Sequence, residues 1–167
     1  SQVPRAKQLL DAYHETGGSG ISVIEVDKQD ADKYGMVKLG NKIDEKTFRV
    51  EELIEKPGAD KTPSNIASVG GYLLTQDIMP ILQEEKLSER GEVELSEAIN
   101  RLSKQQSVYC RTIEGVYHDT GNKAKYLQAL VDTALSHKDI EPEFRAYLSK
   151  LKQVVDTSPS KIVSVNN

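Results

Sequence analysis

The sequence has no tryptophan, only two phenylalanines and a single cysteine among its 167 residues. So few aromatics weigh against a stacking surface for single-stranded nucleic acid. One cysteine excludes an intrachain disulfide. Cys110 lies in the alternating run SVYCRTI, so a core thiol and a reducing, cytoplasmic setting are expected. No apolar run approaches the roughly 20 residues that cross a bilayer. Nor does the start, SQVPRAKQLLDAYHE, read as a signal peptide; it is expected to form an amphipathic helix. Net charge is -4, with lysine and arginine scattered, so neither a nucleic acid nor a membrane surface is an expected partner.

Other absences narrow the chemistry. Neither GxGxxG nor GxxxxGK[ST] occurs, so the usual loops that cradle phosphates are missing. GGSG at 17–20 is followed by a β-branched run; it reads as a helix stop. No GxSxG nucleophile elbow is present. His14, His118 and His137 have no metal-ligand spacing.

What is present alternates between helical and extended patterns. Helices are expected at 5–15, at 75–84 with Thr75 as cap, at 94–105, at 123–137 and from Pro142 onward. The strands expected are 21–26, 36–39, 48–55, 66–74 and 107–113, with Gly70-Gly71 marking a bulge or a close backbone approach. This mixture implies α/β architecture. A main unit over 1–153 and a polar tail over 154–167 are expected.

The stretch IEKPGADKTPSN carries the clearest chemistry. Glu55 and Lys56 stand together at the end of a strand, with Pro57 fixing the exit. A carboxylate accepts two hydrogen bonds from a pair of sugar hydroxyls, and an ammonium suits a phosphate oxygen. The plainer reading is an exposed ion pair of little energy. Asp119, in YHDTGNKAKYL, stands before a helix. It is either a helix cap or a hard oxygen ligand for Mg²⁺. Gly35 permits a close backbone approach, or simply makes a turn. Glu92, Glu94 and Glu97 are explained by the helix dipole. The last helix has an apolar stripe of Phe144, Tyr147, Leu148 and Leu151.

Six segments follow one another: DADKYGMV, VEELIEKP, PSNIASVGGYLL, RGEVELSEAI, EGVYHDTGNKAKYLQA and EFRAYL. In that order they resemble the bacterial UTP–glucose-1-phosphate uridylyltransferases, over about residues 5–150. The resemblance implies a Rossmann-like nucleotide-diphospho-sugar transferase fold, a mixed sheet flanked by helices. It implies that UTP and glucose 1-phosphate are joined into UDP-glucose and pyrophosphate, with Mg²⁺ as cofactor. Carried over residue by residue, Glu55 resembles the glutamate on the glucose hydroxyls. Lys56 resembles the catalytic lysine on the sugar phosphate, and Gly35 the glycine whose backbone faces the sugar. Asp119 resembles an aspartate on Mg²⁺. Ser68 and the Ser64-Asn65 pair fall near the sugar pocket.

The chain departs from the pattern at His118, often tyrosine, at Gly71, often larger and basic, and at Glu94, often glutamine. It also lacks the family's N-terminal glycine-rich loop, base-reading residues and first aspartate. The resemblance therefore covers a C-terminal, sugar-phosphate-binding half. Its expected partners are nucleotide, sugar phosphate, the missing N-terminal half and further copies of itself. Such a half is expected to be inactive alone and to expose an unpaired sheet edge. A non-catalytic assembly or regulatory module, and a fragment of a thymidylyl- or adenylyltransferase, are the alternative readings.

Overall fold

The computed structural model describes residues 3–85 and 91–157. It divides into two compact units, residues 1–115 and 116–167. The first contains α1 (Arg5–Thr16), β1 (Ser19–Glu25), β2 (Gly35–Lys42), β3 (Thr47–Glu55), β4 (Ile66–Leu73), α2 (Ile78–Glu84), α3 (Leu95–Gln105) and β5 (Val108–Thr112). The second contains α4 (Lys123–Ser136) and α5 (Glu141–Thr157), which pack on one another. None of the described helices is long and apolar enough to cross a membrane.

The sheet is mixed. β1 runs parallel to β5 and antiparallel to β4. β2 is antiparallel to both β3 and β4, and β3 is antiparallel to β5. The order β1-β4-β2-β3-β5 closes on itself. The open edge expected of a half-sheet is therefore not what the described residues form. The long β2–β3 hairpin curls round until β2 meets β4 and β3 meets β5. Closure is short at one seam: β2 and β4 pair only at Gly35↔Ser68 and Met36↔Ala67.

Side chains along β1, SGISVIE, alternate between its two faces. Ile21 and Val23 enter the main core with Val50, Leu53, Val108 and Cys110. Gly20 faces α1, where an added Cβ would lie 3.7 Å from Leu9 Cδ2. Both faces of the strand are covered, as its burial from Ser19 to Val23 shows. From α3, Ala98, Ile99 and Leu102 enter the same core, the face expected from their spacing. Ser96 and Ser103 are buried there as well.

Several boundaries differ from expectation for local reasons. α1 buries Gln8 with Leu9 and Ala12, whereas Leu10 is exposed. The Gln8 amide donates to the carbonyls of Val3 and Glu114 and accepts the Glu114 N–H, so a polar side chain is satisfied inside. β2 runs on to Lys42, because β3 supplies its hydrogen bonds beyond the apolar stretch. Thr75 does not cap α2. The helix starts at Ile78, and the Thr75 hydroxyl donates to Asp77. Of the loop expected at 87–94, residues 87–90 lie outside the described residues, as does the tail from 158.

Candidate functional site

β-Register brings three of the expected site residues together. Glu55, the last residue of β3, pairs with Gly35, the first of β2. Gly35 pairs on its other side with Ser68 of β4. The row Glu55–Gly35–Ser68 thus crosses the short seam of the sheet. Gly35 is buried, and a Cβ on it would lie 3.1 Å from Glu55 Oε2 and 3.3 Å from Leu53 Cδ1. The Glu55 carboxylate lies over bare backbone because no side chain stands there. Asn100 of α3 steadies the same end of β3: its Oδ1 accepts the Leu53 N–H at 2.7 Å and its Nδ2 donates to the Leu53 carbonyl at 2.9 Å.

Lys56 follows with φ 47°, the one non-glycine residue with positive φ among those described. L-residues avoid that region, and a residue ahead of proline favours extended backbone. The conformation is held by the Lys56 N–H donating to the Tyr34 carbonyl at 3.1 Å and the Gly58 N–H donating to Ala31 at 3.3 Å. Successive strand residues point to opposite faces; this reversal of φ instead lets both side chains reach one cleft. Lys56 Nζ lies 3.8 Å from Glu55 Oε1, and both side chains are partly open to solvent.

The cleft encloses about 270 Å³, at the small end for ligand pockets, which run from roughly 300 Å³ upward. Glu55 and Lys56 form one wall, Tyr72 of β4 another, and the segment Glu92–Ser96 a third. Tyr72 connects it to the buried residue Ser68, whose Oγ lies 3.3 Å from the phenolic oxygen. Glu94 precedes α3 without a side-chain cap hydrogen bond, while Glu97 lies in the first turn, where the helix dipole favours it. Glu92 and Glu94 instead line the cleft with Glu55. Three carboxylates and one ammonium suit a polyol, whose hydroxyls donate. An anionic phosphate would need further positive charge.

A roomier cleft, about 550 Å³, adjoins Thr75, Asp77 and Gln106. Those three are already paired: Thr75 with Ser19 and Asp77, and Gln106 with Asp77. The remaining sequence candidates are similarly occupied. Ser64 Oγ donates to the Val37 carbonyl at 2.6 Å and accepts the Ile66 N–H. Asn65 donates to Glu25. These two hold the loop between β3 and β4. Cys110 is buried, and burial pushes its thiol up to about 12, so it packs rather than reacts.

Asp119 lies in the second unit. Its Oδ1 accepts the Gly121 N–H at 3.1 Å. The cap of α4 is Asn122, whose side chain accepts the Lys125 N–H. The cap reading of Asp119 is thus corrected: asparagine, three residues before Lys125, has the reach. Oδ2 of Asp119 has no partner among the described residues. His118 Nε2 lies 3.6 Å from Asp132 Oδ2. No group of three or more His, Cys, Asp or Glu that could hold a metal occurs among the described residues. Asp119 offers one carboxylate oxygen. That fits Mg²⁺, which takes one or two carboxylates and completes its shell with phosphate oxygens and water.

Tyr72 and the 92–96 wall were not legible from sequence. The Gly70-Gly71 bulge that delivers Tyr72 was, but a bulge in a sequence does not show what its neighbour will face.

The described sheet is mixed and flanked by helices, and a polar cleft lies where β3 ends and β2 begins; the family comparison gives the class. The nucleotidyl transferase family profile matches residues 3–136, and the chain belongs to that family. UTP–glucose-1-phosphate uridylyltransferase 2 of Streptococcus pyogenes serotype M3 is 33% identical over 153 residues, 92% of this chain and 51% of the relative. Among solved structures, the UTP-bound UGPase of Acinetobacter baumannii superposes with a TM-score of 0.76 at 28% identity, covering 86% of this chain and 49% of that one. A UDP-glucose pyrophosphorylase complexed with UDP-glucose gives a TM-score of 0.70 at 29% identity, covering 74% of this chain and 46% of that one. The chain spans about half the length of the curated relatives it matches.

Proposed function

We propose that residues 1–153 form the sugar-phosphate-binding half of a uridylyltransferase that makes UDP-glucose and pyrophosphate from UTP and glucose 1-phosphate. The observation that carries this reading is the Glu55–Gly35–Ser68 row beside Lys56. Glu55 accepts a pair of sugar hydroxyls, over a glycine that leaves room for the ring. The Lys56 ammonium meets the sugar phosphate and offsets charge as its oxygen attacks.

In the reaction, a sugar phosphate oxygen forms a bond to the α-phosphorus of UTP. The bond from that phosphorus to the bridging oxygen breaks, and the electron pair leaves on pyrophosphate. Asp119 would hold Mg²⁺, which when bound supplies neutralisation of phosphate charge. The acidic lining of the cleft is consistent with this division. The protein's carboxylates address the sugar, and most positive charge for the phosphates comes from elsewhere.

The homologues' names support uracil as the base and glucose as the sugar. A cytoplasmic setting accords with the buried, unpaired Cys110, and self-association is proposed with it. Calorimetric titration with glucose 1-phosphate and with UDP-glucose, in Mg²⁺, tests the site. Binding is expected in the wild-type chain, with at least a ten-fold loss in Glu55→Ala. Equal affinity in the two would remove Glu55 from the site.

A further inference from the structure

We infer that Arg5, from the first turn of α1, is a positioning residue for the cleft: it pins the β4 bulge that sets Tyr72 against Ser68. This inference rests on the cleft reading above and adds a residue that does not line it.

Between Ile21 and Val23 of β1, β4 runs from Tyr72 to Ser68. Three residues, Val69 to Gly71, thus stand opposite Ser22 alone, two more than a regular ladder needs, and Gly70 in the left-handed region, φ 71°, accommodates them. The excursion shortens the distance along the sheet between Ser68 and Tyr72 while keeping both on one face, since two extra residues preserve the alternation. The outcome is the 3.3 Å contact between the two hydroxyls.

A bulge opens the ladder and leaves backbone groups to be satisfied otherwise. Here Arg5 Nη1 donates to the Val69 carbonyl at 3.3 Å. The arginine then runs across Gly71: a Cβ there would lie 2.8 Å from Arg5 Cδ and 2.4 Å from Ser22 Oγ. Gly71 is thus clamped between the guanidinium stem and a fully buried serine, whose own hydroxyl has no partner among the described residues. Only glycine fits, and the arginine covers it from outside. Arg5 itself is exposed, so its removal opens no cavity in the core.

The test reads Tyr72 directly. Chains carrying ¹³C-labelled tyrosine are compared by NMR, with the Tyr72 signal assigned from Tyr72→Phe. Arg5→Ala is expected to shift or broaden the Tyr72 ring signals, leave the other tyrosines unmoved, and weaken glucose 1-phosphate binding at least five-fold. Arg5→Lys, which still presents a donor to the Val69 carbonyl, is expected to restore both in part. An unmoved Tyr72 in Arg5→Ala would overturn the inference. If Arg5→Ala does not fold, Arg5→Gln decides on the same signal. Wild-type chain that fails to bind glucose 1-phosphate would sink the cleft reading, while the Tyr72 signal would still judge Arg5 alone.

Discussion

Lys56 holds a backbone conformation that lysine avoids. Strain of this kind costs roughly 1–3 kcal/mol and persists where the surroundings over-determine it, commonly at functional sites. Two backbone hydrogen bonds flanking Lys56 supply that constraint. Glycine would adopt the same φ freely. Lys56→Gly is therefore expected to leave stability unchanged or raise it by up to about 1 kcal/mol, while weakening sugar-phosphate binding. A urea titration beside a binding isotherm checks both. Lowered stability together with unchanged binding would show Lys56 to be a structural residue only. The sequence showed Glu55, Lys56 and Pro57 as a unit, because their order is the signal. It did not show the reversed φ, which is imposed by Tyr34 and Ala31, more than 20 positions earlier.

At the scale of elements, closure of the sheet depends on the seam between β3 and β5. Arg111 of β5 donates to Asp44 at 2.9 Å and to the Thr47 hydroxyl at 2.5 Å. Asp44 also accepts the N–H groups of Lys46 and Thr47, forming the turn before β3. Burial alone would raise the Asp44 carboxyl. Hydrogen bonds from Lys46 and Thr47 and the Arg111 charge outweigh it, so the group lies below the usual carboxylate range. A depressed folded pKa contributes stability that is present above the unfolded value, about 3.9, and is lost as pH falls through the folded value. Glu114, held low by Lys46, acts in the same direction at the surface. The urea midpoint is expected to fall between pH 5 and pH 3, less steeply in Asp44→Asn than in wild type. Coincident slopes would mean that the turn does not sense this proton. Strands and helices were legible as periodicities, since Ile21, Val23, Ile99 and Leu102 repeat at the spacing of their elements. The closing of the sheet was not. Arg111, Asp44 and Thr47 carry no local signature, and β2 reads as short until β3 is beside it.

For the whole molecule, the governing fact is length: the chain matches curated relatives over about half of theirs. The cleft is built in the first of its two units, and Asp119 stands in the second. On the proposed reading the cleft is a sugar half-site, and without a triphosphate loop it would have no means to orient the α-phosphorus for in-line attack. The chain alone is expected to release no pyrophosphate from UTP and glucose 1-phosphate above the blank. Release at a rate typical of nucleotidyl transfer enzymes would contradict the division of labour proposed here. The sequence could suggest such a half through its ordered motifs. It could not show that the described strands would close on one another instead of exposing a cut edge.

The most direct test of the sugar site is an amide NMR titration of the full chain with glucose 1-phosphate. The shifts are expected to concentrate at Gly35, Glu55, Lys56, Ser68 and Tyr72 and to vanish in Glu55→Ala. Shifts centred on Thr75, Asp77 and Gln106, or none at millimolar ligand, would contradict the site.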